Sequence, residues 1–228
     1  MYLHGGVYDA SSPPTWDVVE EILENRIGNI LALSGHSEEG EAPLFSFSSR
    51  INFRSRIAFT APYNAGSGNK PYHYDNIKAF LKGTRDCIEI EGFEADDLIG
   101  ILLTKSPEKY VCCTRDKDLR QIPGWHFGWE LGNQPQFGPF LVEGFGHIEL
   151  DAKKKIRGWG EKFFYAQLLM GDRVDTIPGI EGMGDVGAFK IISPCQDSNE
   201  ALKACIEAYK ASYGLYWCDV IVEQCRLS

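Results

Sequence analysis

Apolar residues near the start of the chain recur at helical spacing: Val18, Val19, Ile22, Leu23, Ile27, Ile30 and Leu31 line one stripe. The stripe predicts an amphipathic helix over residues 12–33, with Ser12 as its cap and Pro13 in its first turn. A short strand is predicted at 44–47. Residues 64–71, rich in Gly, Ser and Asn, read as a mobile loop. Beyond them the pattern predicts a helix over 75–82, a strand at 87–90, a helix over 94–105 and a strand at 110–113. Short strands alternating with helices imply an α/β fold with a mainly parallel central sheet, flanking helices and right-handed crossovers. After residue 145 the pattern turns helical, over 163–170 and 199–213, with a glycine-rich stretch between. The expected organisation is an α/β core over residues 1–150 and a helical region over 151–228.

Composition narrows this only a little. A chain of 228 residues suits one sizeable domain or a domain with a small appendage, and 43% apolar residues can fill a core. No apolar run approaches the roughly 18 residues that span a bilayer, and the first residues lack the features of a secretory leader. Seven cysteines are an odd count without a Cys-x-x-Cys pair, which fits reduced thiols in a cytoplasm. His4, His36, His73, His126 and His147 form no metal-binding pair, and Trp125, His126 and Trp129 read as strand packing.

Charge is where chemistry enters. Three acidic clusters stand out: Glu94-Ala-Asp96-Asp97 after one predicted strand, Asp116-Lys-Asp118 after another, and Asp172-Arg-Val-Asp175 at the end of a helical run. Each has an ordinary explanation, since acids favour the first turn of a helix. In an open α/β sheet, however, the carboxyl ends of strands converge, so the first two clusters meet and the third can join them. Hard oxygen ligands in this number suit Mg²⁺ or Mn²⁺, and a pair of such ions would support phosphodiester hydrolysis. The formal charge of −9 argues at first against a nucleic-acid partner. Setting the seven clustered acids aside leaves 25 acids against 23 bases, so a metal-loaded face need not repel phosphate.

Residues 178–188 read Pro-Gly-Ile-Glu-Gly-Met-Gly-Asp-Val-Gly-Ala, and Gly182-x-Gly184-x-x-Gly187 matches a dinucleotide-binding fingerprint. That fingerprint needs a strand before it, and the preceding Pro178 and Gly179 cannot belong to a core strand. The alternatives are a structural turn and a hairpin between helices whose backbone N–H groups approach a nucleic-acid phosphate.

Taken together, these residues resemble the 5′ nuclease family of 5′→3′ exonucleases and flap endonucleases, most closely its bacteriophage members. Glu91-Gly-Phe-Glu-Ala-Asp-Asp97 is similar to the family's Glu-Ala-Asp-Asp motif, and Thr114-Arg-Asp-Lys-Asp-Leu119 to its Asp-x-Asp motif. The run from Leu169 through Gly184 resembles the segment opening the helix–two-turn–helix DNA clamp. The resemblance implies a PIN-like nuclease core and a C-terminal helical DNA-binding region. It places Glu94, Asp96 and Asp97 on one metal ion and Asp116, Asp118, Asp172 and Asp175 on a second, in a two-metal-ion mechanism. It further implies catalysis by Asp116, Asp118, Asp172 and Asp175 with Lys70, and DNA contacts from Arg54, Arg56, Tyr63, Lys70, Lys117, Gly179, Gly182, Gly184 and Lys190. A K⁺ ion at the hairpin carbonyls, DNA with a 5′ end or flap as substrate, and a place in DNA replication complete what it implies.

The chain departs from the family pattern in four places. Nothing before the first helix matches the family's opening strand with its Asp, so the chain is expected to begin just after that strand. Ser49 stands where many relatives have another Asp. The arch pattern Tyr-Lys-x-x-Arg is reduced, with Asn64 after Tyr63, Ser67 in place of the Arg, and Lys70 the nearest base. Asp185 and Val186 follow Gly184 where a Lys is usual, leaving Lys190. These departures make a weakened relative that binds duplex or branched DNA the alternative reading; another Mg²⁺-dependent phosphate hydrolase is a further one.

Overall fold

The computed structural model describes residues 12–37, 39–63 and 70–228. Residues 1–11 and most of the predicted loop at 64–71, including Asn64 and Ser67, lie outside them. The first helix, α1 (Trp16–Leu33), begins later than the predicted start at residue 12, and Thr15 rather than Ser12 is its cap residue. Pro14 is the reason: a residue before proline is pushed out of the helical region, so Pro13 cannot start a helix. Val19, Leu23, Ile27 and Ile30 form the buried face of α1.

The chain continues through β1 (Leu44–Ser46), α2 (Arg54–Ile57), α3 (Tyr74–Thr84), β2 (Asp86–Ile88), α4 (Ala95–Lys105) and β3 (Val111–Cys113). β1 pairs in parallel with β2, placing Phe45 opposite Cys87. Leu23, Ile27 and Leu81 close one side of this pair, with Phe45, Phe47 and Phe80 packed around them. β4 (Gly124–Gly128) then runs parallel to β3, and β5 (Phe137–Val142) lies antiparallel on β4. The α/β class is thus present, with its parallel pairs held in two small sheets rather than one continuous sheet among the described residues.

A hairpin of β6 (His147–Leu150) and β7 (Ile156–Trp159) leads into four helices: α5 (Glu161–Met170), α6 (Asp185–Ile192), α7 (Ser198–Tyr213) and α8 (Trp217–Leu227). Their shared core is the largest among the described residues. Phe163, Leu168, Leu169, Ile180, Ile192 and Tyr209 pack there, and Ile148 and Ile156 of the hairpin join them. Among the described residues, no helix is long and apolar enough to cross a membrane.

The α8 helix does not show in the apolar pattern because two of its buried positions are polar. Glu223 accepts the N–H groups of Phe59 and Thr60, the latter at 2.8 Å. Gln224 is fully buried, accepts the Gly179 N–H at 3.0 Å and donates to Thr60 Oγ1 at 3.0 Å. The last carbonyls of the helix reach further, since Leu227 O accepts from Arg54 Nε at 3.1 Å. The C-terminal helix therefore fastens residues 54–60 to the glycine-rich loop at 179. Replacing Gln224→Ala leaves the buried Gly179 N–H without an acceptor, and the expected loss of stability is about 2–3 kcal/mol. Urea unfolding followed by circular dichroism measures it; an unchanged midpoint would show that the brace contributes nothing.

Candidate metal centre

The second acidic cluster follows directly from the end of β3. Thr114 N–H still pairs with Phe127 O at 2.9 Å, and its hydroxyl accepts the Asp116 N–H at 3.0 Å. Asp116 Oδ1 in turn accepts the Asp118 N–H at 2.9 Å, turning the chain into a short 3-10 turn, Asp118–Gln121. This local wiring aims Asp118 toward the end of α5.

The third cluster sits on the loop leaving α5. Asp172 and Ile177 exchange backbone hydrogen bonds of 2.8 and 2.7 Å, closing a tight loop that carries Asp175. The loop crosses its own continuation so closely that two positions must be glycine. A Cβ on Gly171 would lie 2.3 Å from Ile177 O, and one on Gly179 would lie 2.4 Å from Gly171 N. Both residues also take positive φ, +73° and +62°, which glycine adopts without strain. Thr176 takes φ 61° as well, an uncommon and costly conformation for a β-branched residue.

Asp172 is only 7% exposed, and three groups hold it: Gln167 Nε2 at 2.9 Å, Val174 N–H at 2.7 Å and Lys117 Nζ at 2.7 Å. Gln121 donates to Gln167, so the 3-10 turn and α5 are linked side chain to side chain. Asp118, Asp172 and Asp175 each offer a carboxylate oxygen within 4.8 Å of the others. Among the described residues this is the one group with spacing suited to an ion.

The electrostatics show how crowded the site is. Burial pushes the Asp175 carboxyl up to about 6, with the charges of Asp172, Asp118, Glu94 and Asp116 adding to it. Burial also raises Asp118, and Asp116 and Asp172 add to the shift while Lys117 opposes it. Asp172 is the exception. Burial raises its carboxyl, but the hydrogen bond and charge of Lys117 outweigh that and hold it below the ordinary carboxylate range. Lys117 Nζ lies 2.8 Å from Asp118 and 2.7 Å from Asp172, so an ammonium already stands between two members of the triad.

The first cluster is arranged differently. Glu94 precedes α4 as its cap residue, and Asp97 accepts the Glu94 N–H at 2.9 Å, half of a capping box. Arg54 Nη1 lies 2.8 Å from Asp97 and 3.3 Å from Glu94, and Tyr63 donates to Glu94 at 2.9 Å. Two of the three expected ligands thus face a guanidinium. Asp96 faces the other cluster: burial of its carboxyl, then the charges of Asp116 and Glu94, push it up to about 7, although the residue keeps an exposed edge. Ser49 spends its hydroxyl on a turn, accepting the Ile51 N–H at 3.2 Å.

Several residues expected to touch DNA have other partners here. Arg54 is buried, with Asp97, Glu94 and Leu227 O around its guanidinium and the Phe53 ring 4.9 Å away, so it presents no free face to a phosphate. Lys117 is turned inward onto Asp118 and Asp172 because the crowded carboxylates attract it. Gly179 is buried, with its N–H on Gln224 and its carbonyl accepting from Tyr213 at 2.6 Å. Gly182, Gly184 and Lys190 are exposed, as are Arg56 and Lys70, the last stacked over Tyr74 at 4.2 Å. Asp185, in the first turn of α6, accepts from Lys155 at 2.8 Å and from Ile156 N–H at 3.0 Å, pinning that helix to β7. The signal missed in the sequence is Gln167, a mid-helix glutamine that looks like a surface residue and instead orients Asp172.

No protein-family model matches the chain. In sequence it is 25% identical over 176 residues to the thermostable DNA polymerase I of Thermus filiformis, covering 75% of this chain and 20% of that protein. It is 33% identical over 122 residues to DNA polymerase I of Pseudomonas aeruginosa, covering 52% of this chain and 12% of that protein. The chain therefore spans a fifth or less of the length of these relatives. In structure it is similar to the T5 D15 protein co-crystallised with metal ions, at a TM-score of 0.50 and 12% identity over 92% of each chain. A T5 D15 flap endonuclease variant in a pseudo-enzyme–product complex with DNA and metal ions gives 0.48 and 12%, over 91% of this chain and 90% of the other. The resemblance to the 5′ nuclease family carried by the sequence motifs is thus supported, with the fold of T5 D15 shared along nearly the whole chain.

Two outcomes are expected. Thr176→Asn, which tolerates positive φ far better, should raise stability by about 1 kcal/mol in urea unfolding, and a lower midpoint would contradict the strain. Mn²⁺ titrated calorimetrically should bind more weakly at pH 5.5 than at pH 7.5, with protons released at the lower pH. Asp175, raised to about 6, must lose its proton to act as a ligand. Equal affinity at both pH values would remove Asp175 from the site.

Proposed function

We propose that this chain is a metal-dependent 5′ nuclease that hydrolyses phosphodiester bonds of DNA at 5′ ends or flaps. The observation that carries this reading is the triad of Asp118, Asp172 and Asp175, with carboxylate oxygens within 4.8 Å, on a fold shared with T5 D15. The donor set fits hard divalent cations, Mg²⁺ or Mn²⁺, and the Lys117 ammonium already in contact with two of the three acids supports cation binding there. Asp118, Asp172 and Asp175 would hold one ion, with Asp116 beside them; Asp96, and Glu94 and Asp97 once released by Arg54, would serve a second. A bound ion supplies an activated water and stabilises the leaving oxygen.

The chain's own residues do the rest. Gln167 and Val174 N–H orient Asp172, and Lys117 balances the charge of the triad until an ion replaces it. The exposed Gly182, Gly184 and Lys190 at the α6 end, with residues 151–228 as the DNA-gripping region, are proposed to hold duplex phosphates, and K⁺ at the hairpin carbonyls belongs to the same proposal. Arg56, Tyr63 and Lys70 are proposed to approach the scissile phosphate from the other side, over the core of residues 1–150.

One observation favours a second reading, a DNA-binding relative with weakened cleavage. Arg54 ties up Glu94 and Asp97, and an arginine held this way lends a permanent charge where a second ion would sit. A 5′-labelled duplex and a 5′-flap substrate, each with Mg²⁺ or Mn²⁺, decide between them. Metal-dependent product is expected from the wild type, with a loss of at least about a hundredfold in Asp175→Asn and Asp118→Asn, while thermal melts confirm folding. Tight DNA binding without product would establish the weakened relative. Neither binding nor product would refute both readings.

A further inference from the structure

Two arginines next to the carboxylate site have no carboxylate in ion-pair contact among the described residues. Arg115 immediately precedes Asp116, and Arg120 lies in the 3-10 turn that Asp118 opens. Both guanidinium groups pack on one ring: Arg115 Cζ is 5.2 Å and Arg120 Cζ 5.1 Å from the centroid of Phe137. The ring can lie there because Gly128 on the paired strand is bare; a Cβ at that position would come within 2.1 Å of it.

Two like charges on one aromatic platform repel each other unless an anion sits between them. The anions nearest the pair stay out of ion-pair reach. Lys117 takes Asp118 and Asp172, and Arg157 takes Asp151 at 2.9 Å, so among the described residues neither Arg115 nor Arg120 has a carboxylate in ion-pair contact. Arg115 is anchored by neutral groups, donating to Trp129 O at 2.7 Å, Pro135 O at 3.1 Å and Gln134 Oε1 at 2.7 Å. These bonds fix its direction without cancelling its charge. The Nε of each arginine is buried without a hydrogen-bond partner. Burial lowers the Arg120 pKa and the charge of Arg115 lowers it further, and the more distant carboxylates of Asp118 and Asp116 do not make up the loss. Holding two cations side by side without an ion-pair partner, with both Nε groups buried and unpartnered, costs stability, which points to a ligand rather than to packing.

We infer that Arg115 and Arg120, set on Phe137, form a seat for a backbone phosphate of the bound DNA strand, on the turn that carries Asp116 and Asp118. The planar guanidinium fork suits phosphate oxygens, and its apolar stacking on Phe137 pre-orients it. The inference rests on the nuclease reading above and gives it a place where the strand is held beside the reacting bond. Because the two arginines flank Asp116-Lys117-Asp118 in the chain, any phosphate they hold is registered against those carboxylates by a rigid turn.

The test measures binding of a fluorescent 5′-tailed duplex across a salt series, with Ca²⁺ in place of Mg²⁺. Arg120→Gln should weaken binding about tenfold at low salt and flatten the slope of log K against log salt by about 0.9, the signature of one lost phosphate contact. Arg120→Lys should keep most of the slope, and Phe137→Leu, which keeps both charges, should keep it too. An Arg120→Gln slope equal to wild type overturns the seat alone, since it would mean that the arginine only packs. A wild type that binds no duplex at any salt overturns the nuclease reading and the seat together.

Discussion

Gathering carboxylates from separate stretches of a small protein onto one face is the constraint that the rest of this molecule answers to. Asp118, Asp172 and Asp175 stand within a few Å, with Asp96, Asp116 and Glu94 close enough to raise their neighbours' proton affinity. Such a cluster is unfavourable unless cations share it. The fold supplies two. Lys117 bridges Asp118 and Asp172, and Arg54 is buried against Asp97 and Glu94. The same crowding underlies the divalent ion proposed for this site.

Much of the architecture serves to hold that crowd in place. The C-terminal helix reaches back to residues 59–60 through Glu223, to Gly179 through Gln224 and to Arg54 through its last carbonyls. The helical region and the α/β part are thereby coupled through the side chains that orient the acids. Gln121 and Gln167 form a second link, from the 3-10 turn to Asp172. Neither link is long, and both run through amide groups that can donate and accept at once.

The two halves of the acidic face are unequal. On the Asp118 side, Asp172 is fixed by the Val174 N–H and Gln167, and Lys117 ties it to Asp118. The Glu94 side has the capping of α4 and the Arg54 clamp to satisfy first. An ion proposed for the first half would displace the partly exposed Lys117 ammonium, whereas one proposed for the second would displace a buried arginine. Unequal sites of this kind predict unequal affinities, a property that follows from partners rather than from ligand count.

The α/β class, most of the helices and the three acidic clusters were legible from residue pattern and motif alone, because periodic apolar faces and acids after strand ends leave a local signature. The glycines at 171 and 179 were legible as a motif, but their reason was not. It lies in a chain crossing itself within van der Waals contact, which no spacing along the sequence reveals. The late start of α1 was readable in principle, since Pro14 acts on its neighbour. The buried polar face of α8 was not, since Glu223 and Gln224 look like solvent-facing residues until the loops they bind are placed above them. Sequence by itself determined which acids are present and that they follow strand and helix ends. Tertiary structure alone decided which of those acids stay available to a cation and which are paired, because pairing depends on Arg54 and Lys117 meeting carboxylates brought near by folding.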